Sequence, residues 1–283
     1  MNDIPRVPMS DGNAIPQVGF GTWRLPEERA SELVGHALDV GYRLVDTAHA
    51  YNNEAGVGQG LRESPVPREE IVLTTKLWNS LHGYDETLRA FDASLERLGL
   101  DYIDLYLVHW PVPMENKYVD TWRAFMRLKE QGLVRSIGVS NFDEPHLRRI
   151  VEETGVTPAI NQIELHPRFQ QRPARDHHEE LGILIEPWSP LGQGNVMDSP
   201  TVLDIAARHG KTPSQVILRW HIEQGFVVTP RSGTPSHIDE NLDVFDFSLD
   251  ERDMRAIAAM DDPDGRIGPV PTELGAVPLP KRR

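Results

Sequence analysis

Short, continuous apolar runs alternate with amphipathic stretches along almost the whole chain, and this alternation restricts the fold more than any single residue does. Gly19 to Trp23, Leu44-Val45, Ile71 to Lys76, Ile103 to His109, Val134 to Val139, Ala159 to Gln162, Ile183 to Glu186 and Phe226 to Thr229 read as strands. Between them, Glu27 to Asp39 carries Ala30, Leu33, Val34, Ala37 and Leu38 at helical spacing. Glu54 to Arg62, Asp85 to Leu98, Trp122 to Lys129, Pro145 to Glu153, Arg175 to Leu181, Val202 to His209 and Ser214 to Gln224 are further helical stretches. Apolar strands separated by helices form a parallel sheet covered on its outer face. Eight of them predict an α/β fold closed into a single-domain (β/α)8 TIM barrel. A doubly wound sheet would carry a Gly-x-Gly-x-x-Gly turn after its first strand, whereas Gly56, Gly58 and Gly60 fall in the second helix with the wrong spacing.

Two additions frame the barrel. Val7 to Pro16, with a central Asp11-Gly12, signals a β-hairpin that plugs one end. Leu249 to Met260 reads as one extra helix, and the Gly- and Pro-rich tail from Asp262 to Arg283 is expected to lie across a barrel mouth as a loop. The division is therefore a plug over 1–18, a barrel over 19–247 and a C-terminal helix and tail over 248–283, all one domain.

Composition removes several classes of function. The 283 residues are 39% hydrophobic and 25% charged, enough for one large core. Lys and Arg total 29 against 43 for Asp and Glu, and the net charge of -14 opposes general binding to nucleic acid or an anionic membrane. The absence of cysteine excludes disulfides, thiolate nucleophiles and Cys-ligated metals. His177-His178 and His166 lack companions at ligand spacing, so no metal is expected. The N-terminus lacks the apolar core of a signal peptide, and no run approaches the roughly 20 apolar residues of a membrane span, which makes a cytoplasmic location the default expectation.

Barrel chemistry sits where strands end. Asp46, Lys76 and His109 close the second, third and fourth strands, and Tyr51 lies five residues beyond Asp46. Alone, Asp46 fits a helix N-cap, Tyr51 a packing aromatic, Lys76 a solvated charge and His109 a packed histidine. Together they form a proton relay: an ammonium beside a phenol stabilises the phenolate and lowers its pKa below about 10, while a carboxylate keeps the ammonium charged. An imidazole at His109 can donate a hydrogen bond to a substrate oxygen. Such a set polarises a carbonyl and protonates it, but it holds no hydride donor, so reduction requires a cofactor. Trp23, Trp78 and Trp110, also at strand ends, would wall an apolar substrate pocket together with Tyr51 and His109, while Phe20 and Trp122 pack inside.

Gly41 to Ala48, Leu105 to Pro111, Gly138 to Phe142 and Asn161 to Pro167 carry a resemblance to the aldo-keto reductase family, and within it to the bacterial 2,5-diketo-D-gluconate reductase branch. It runs from the hairpin to the helix ending near Met260. The resemblance implies a catalytic tetrad of Asp46, Tyr51, Lys76 and His109, with Tyr51 as proton donor and NADPH as hydride source. It also implies that Ser140, Asn141 and Gln162 hold the nicotinamide carboxamide and that Trp188 stacks on the ring. Ser189 to Gln193, including Leu191, would face the pyrophosphate. Gly21, Thr22 and Trp23 are expected along the same groove. At the adenosine end stand Arg231, Ser232, Gly233, His237, Glu240 and Asn241.

There the chain departs from the family pattern, which expects Pro-Lys-Ser and a later arginine where this sequence has Pro230-Arg231-Ser232 and His237. An imidazole, with a reference pKa of about 6.5, is charged only part of the time near neutrality. NADH is therefore expected to be accepted more readily than is usual in the family. The implied activity is NADPH-dependent reduction of small aldehydes, ketones or dicarbonyls by a monomer. The alternative is a non-catalytic barrel that binds nucleotide and serves as a subunit, against which stands the presence of all four tetrad residues.

Overall fold

In the computed structural model, which describes residues 4–275, the alternation becomes a curled parallel sheet inside a ring of helices. A hairpin of β1 (Arg6–Pro8) and β2 (Ala14–Pro16) precedes it, paired antiparallel, with Val7 opposite Ile15. The sheet then runs in chain order through β3 (Phe20–Gly21), β4 (Leu44–Asp46), β5 (Val72–Leu77), β6 (Ile103–Val108), β7 (Val134–Ser140), β8 (Ile160–Glu164) and β9 (Leu184–Trp188). Every neighbouring pair is parallel.

The expected eighth strand, Phe226 to Thr229, is present only as an extended segment joined by isolated bridges, Val18 to Val228 and Gly21 to Arg231. It closes the barrel nonetheless. Val227 N–H donates to Ile185 C=O on one side, while Val228 N–H donates to Gln17 C=O and Gly19 N–H to Val228 C=O on the other. Pro230 has no N–H to continue the ladder, so the pairing cannot lengthen into a regular strand.

Ten α-helices occur among the described residues. The first six are α1 (Glu27–Val40), α2 (Glu54–Glu63), α3 (Tyr84–Leu98), α4 (Tyr118–Glu130), α5 (Glu144–Thr154) and α6 (Arg172–Leu181). They are followed by α7 (Pro200–His209), α8 (Pro213–Glu223), α9 (Pro235–Leu242) and α10 (Glu251–Ala258). The second helix tolerates its glycines because its neighbours come close: a Cβ on Gly56 would lie 2.4 Å from Glu27 O, and one on Gly58 2.0 Å from Leu98 O. The α9 helix was not anticipated. It is short, eight residues beginning at Pro235, and the sequence reading assigned them to no element.

Two apolar layers hold the fold. Inside the barrel, Leu44, Val72, Leu105, Leu107, Ile160 and Val227 pack with Met9 and Ile15 of the hairpin, which is therefore the plug that its turn predicts. Outside, the buried faces of the helices meet the outward residues of the strands, with Phe20 and Trp122 in that layer. Burying each such side chain contributes roughly 1.5–3 kcal/mol.

Candidate active site

The second barrel strand stops at Asp46, and the chain passes through Thr47 and Ala48 into a single 3-10 turn, His49–Tyr51. Asn53 fixes this turn. Its Nδ2 donates to Thr22 O at 2.8 Å and to Leu25 O at 3.2 Å, and its Oδ1 accepts from Thr47 Oγ1 at 2.8 Å. Thr22 Oγ1 in turn donates to Asp46 O at 2.9 Å. Thr22, expected at the cofactor, is buried, and its side chain braces the strand end from behind.

Lys76 is completely buried, with its Nζ 2.7 and 2.6 Å from the two Asp46 carboxylate oxygens, 2.9 Å from Thr47 O and 3.3 Å from the Tyr51 hydroxyl. Burial is the largest influence and opposes the Lys76 charge, but Asp46, Tyr51 and Glu186 together outweigh it and hold the ammonium above its ordinary pKa. His109 follows the end of β6, its ring edge-on to Tyr51 at 6.0 Å and to Trp78 at 5.2 Å between centroids. Burial, Lys76 and His82 hold His109 well below the usual histidine range, so its ring is neutral.

One expectation is overturned. Lys76 was to bring the Tyr51 phenol below its ordinary value, yet burial prevails and the pKa is pushed up to about 12, with Lys76 opposing and Asp46 and Glu186 assisting the rise. In the free site Tyr51 is a firmly protonated donor.

Tyr51 and His109 face a cleft of about 500 Å³ at the C-terminal ends of the strands. Gly21, Trp23, Trp78 and Trp110 line it, as do Ser140, Asn141, Gln162 and Trp188, and Ser189, Gln193 and Arg231. A larger depression of about 750 Å³ lies among hairpin residues and Arg43, Glu70 and Asp246, at the opposite end from the converging side chains. Within the cleft the polar groups are tightly organised. Asn141 Nδ2 donates to His109 O and to Ser140 Oγ, each at 3.0 Å, and Asn141 Oδ1 accepts from Trp188 Nε1 at 2.7 Å. Gln162 Nε2 donates to Asp46 Oδ2 at 3.1 Å and to Glu186 Oε1 at 2.7 Å.

The remaining expected groups lie beyond the lining of the cleft. Leu191 is half-buried against the core, and Ser232 is buried in the turn before α9, where its Oγ accepts from Thr234 N–H. Gly233 accepts from Arg29 through its carbonyl. His237, Glu240 and Asn241 sit on α9, His237 exposed and Asn241 buried. The Glu240 carboxylate accepts from Thr212 Oγ1 at 2.7 Å.

Sequence reasoning missed Arg24, Glu186 and Thr229. Arg24 lines the cleft with φ at 58°, its guanidinium 4.1 Å above the Trp23 ring, and its carbonyl accepts from Arg231. A cation directly after a strand-end tryptophan was a legible signal for it. The tail crosses the mouth as expected, and Ile267, Gly268 and Pro269 wall the cleft, held by Ile267 N–H and Gly268 N–H donating to Glu164. The expectation for 276–283 lies outside the described residues. Of the histidines set aside, His178 is buried against Asn161 and Ala174, and His166 contacts Glu164. Among the described residues no cluster of three or more potential metal ligands occurs.

The cleft suits a nicotinamide dinucleotide. Two arginines stand ready for phosphate oxygens, and with both Gln162 amide hydrogens committed, Gln162 Oε1 is left as an acceptor for a carboxamide. A parallel barrel with an Asp-Tyr-Lys-His cluster at its strand ends defines a carbonyl-reducing class of enzyme. The chain belongs to the aldo/keto reductase family, whose model matches residues 17–262. It is 55% identical over 267 residues to an aldo-keto reductase of Mycolicibacterium smegmatis, covering 94% of this chain and 97% of that protein. It is 48% identical over 271 residues to methylglyoxal reductase DkgA of Escherichia coli, covering 95% and 98%. Among solved structures, a Gox0644 mutant in complex with NADPH superposes with a TM-score of 0.93 at 49% identity, over 96% of this chain and 99% of that one.

Proposed function

We propose that this protein reduces small aldehydes, ketones or dicarbonyls to alcohols with NADPH, and that Tyr51 delivers the proton. The observation that carries this reading is the placement of Lys76 Nζ between Asp46 and the Tyr51 hydroxyl, with a neutral His109 alongside. The neutral ring donates a hydrogen bond to the substrate oxygen and sets its position. Tyr51 passes its proton to that oxygen, and the Lys76 ammonium, held by Asp46, stabilises the phenolate left behind. When bound, NADPH supplies the hydride. Gln162 would accept from its carboxamide, and Arg24 and Arg231 would hold its phosphates. Trp23, Trp78 and Trp110 supply the apolar walls around the carbonyl.

Methylglyoxal, named for the Escherichia coli relative, is the first substrate to test. Oxidation of NADPH is followed by absorbance, with Tyr51→Phe as control. Turnover that Tyr51→Phe lowers by at least about a hundredfold supports the mechanism. Binding without turnover would favour the nucleotide-binding module, and full activity in Tyr51→Phe would defeat the assigned donor. As further parts of this proposal, the protein acts as a cytoplasmic monomer, with the plug, barrel and C-terminal segment forming one domain. In support of the single domain, Met9 and Ile15 of the hairpin pack into the barrel interior, and Ile267, Gly268 and Pro269 of the tail wall the cleft.

A further inference from the structure

Glu186 lies two residues before Trp188 on β9 and is completely buried. Its Oε1 accepts from Gln162 Nε2 at 2.7 Å and from Thr229 Oγ1 at 3.0 Å, while Oε2 is buried with no hydrogen-bond partner among the described residues. The same Gln162 nitrogen donates to Asp46 Oδ2 at 3.1 Å. A continuous chain of contacts thus leads from the Tyr51 hydroxyl through Lys76, Asp46 and Gln162 to Glu186.

An ionised carboxylate only accepts hydrogen bonds, so an amide that faces two of them must turn its NH2 toward both. We propose that Glu186 is a positioning residue of this site: with Asp46 it fixes the Gln162 amide so that only Oε1 is offered to the cofactor, and through the same chain of contacts its charge acts on Tyr51. The first half rests on the reductase reading, which places the carboxamide at Gln162.

The charged groups around Glu186 come from separate elements. Asp46 at the end of β4 repels its charge and Lys76 of β5 attracts it, while Gln162 of β8 and Thr229 of the closing segment donate to it. Burial, then Asp46, lift its carboxyl to about 7, so the group exchanges its proton near neutrality. Ionised, it raises the Tyr51 pKa; neutral, it does not.

Two variants separate grip from charge. Glu186→Met is similar in length and removes both acceptor oxygens, whereas Glu186→Gln keeps one acceptor and removes the charge. In a fluorescence titration with NADPH, Glu186→Met is expected to bind about tenfold more weakly and Glu186→Gln within about twofold of the natural protein. In alcohol oxidation at saturating NADP+, kcat/KM for the alcohol follows the fraction of Tyr51 that has lost its proton. Glu186→Gln should therefore exceed the natural protein by about threefold or more at pH 9, with the ratio falling toward one at pH 6, where Glu186 is already neutral. Unchanged NADPH affinity in Glu186→Met, or a Glu186→Gln ratio that does not vary with pH, overturns the proposal. A natural protein that binds NADPH and reduces no carbonyl would defeat the functional reading instead, and the Glu186→Met titration would still decide the grip on Gln162.

Discussion

Lys76 Nζ meets both oxygens of the Asp46 carboxylate, and neither side chain has appreciable contact with water. Such a pair is more costly to break than its formation is beneficial, because removing one partner strands the other charge in a poorly solvated place. Asp46→Asn should lower unfolding stability by about 3 kcal/mol in urea titration. Carbonyl turnover should fall by about a hundredfold in the same variant, since Lys76 is no longer held charged beside Tyr51. Natural stability with natural turnover would show that the pair does neither.

A second expectation concerns the tail. A Cβ at Gly268 would stand 2.4 Å from Cη2 of Trp188 and 3.0 Å from Glu164 Oε2, so Gly268→Ala must displace either the indole or the tail. Overpacking of this kind costs about 1–3 kcal/mol where neighbours cannot move. The variant should raise KM for the carbonyl about tenfold in steady-state assays while changing kcat little, because Tyr51 and Lys76 are not touched. A fall in kcat at constant KM would argue against a wall and for a catalytic contact.

Acid sensitivity follows from two buried histidines away from the donor. Burial, then the Lys117 charge, lowers His82 to about 4; burial is also the main cause that takes His221 to about 3. Between these values and the unfolded value of about 6.5, the unfolded chain binds protons that the folded chain does not, so stability falls as pH falls. Each contributes a loss of about 2 kcal/mol on going from pH 6.5 to 5. Urea midpoints should drop over that interval, and His82→Phe or His221→Phe should flatten the dependence. A midpoint independent of pH there would contradict this assignment.

At the proposed adenosine end, His237 is exposed on α9 and Glu240 is occupied with Thr212. His237→Arg adds a permanent cation beside the proposed 2′-phosphate position. The ratio of kcat/KM for NADPH over NADH should rise about threefold to tenfold, at roughly 1 kcal/mol per charge-assisted contact. An unchanged ratio would place the phosphate elsewhere, with Arg24 the next cation to test.

The barrel was legible because its signals are local: each apolar run and each amphipathic stretch is complete within about a dozen residues. The convergence of Asp46, Lys76 and His109 was legible for the same reason, since they lie at or beside the ends of consecutive strands. What escaped depends on contacts across the barrel. Glu186 reads as an ordinary strand residue until Gln162 and Thr229, 24 and 43 positions away, are seen to converge on it. The acidity of Tyr51 escaped because burial is contributed by every wall of the cleft, whereas the Lys76 charge is visible as a single residue. Arg24 drew no reading from the sequence, although it directly follows Trp23; its left-handed backbone and its place over that ring bring it to the cleft.

Between Val18–Gly21 and the closing segment that ends at Arg231, isolated bridges replace a ladder. Gly21 and Arg231 stand on opposite banks of that seam, and both border the cleft. A dinucleotide seated across Gly21 and Arg231 would add a tie to a seam that the backbone alone already closes. Saturation with cofactor should accordingly slow amide exchange at this joint more than anywhere else around the ring.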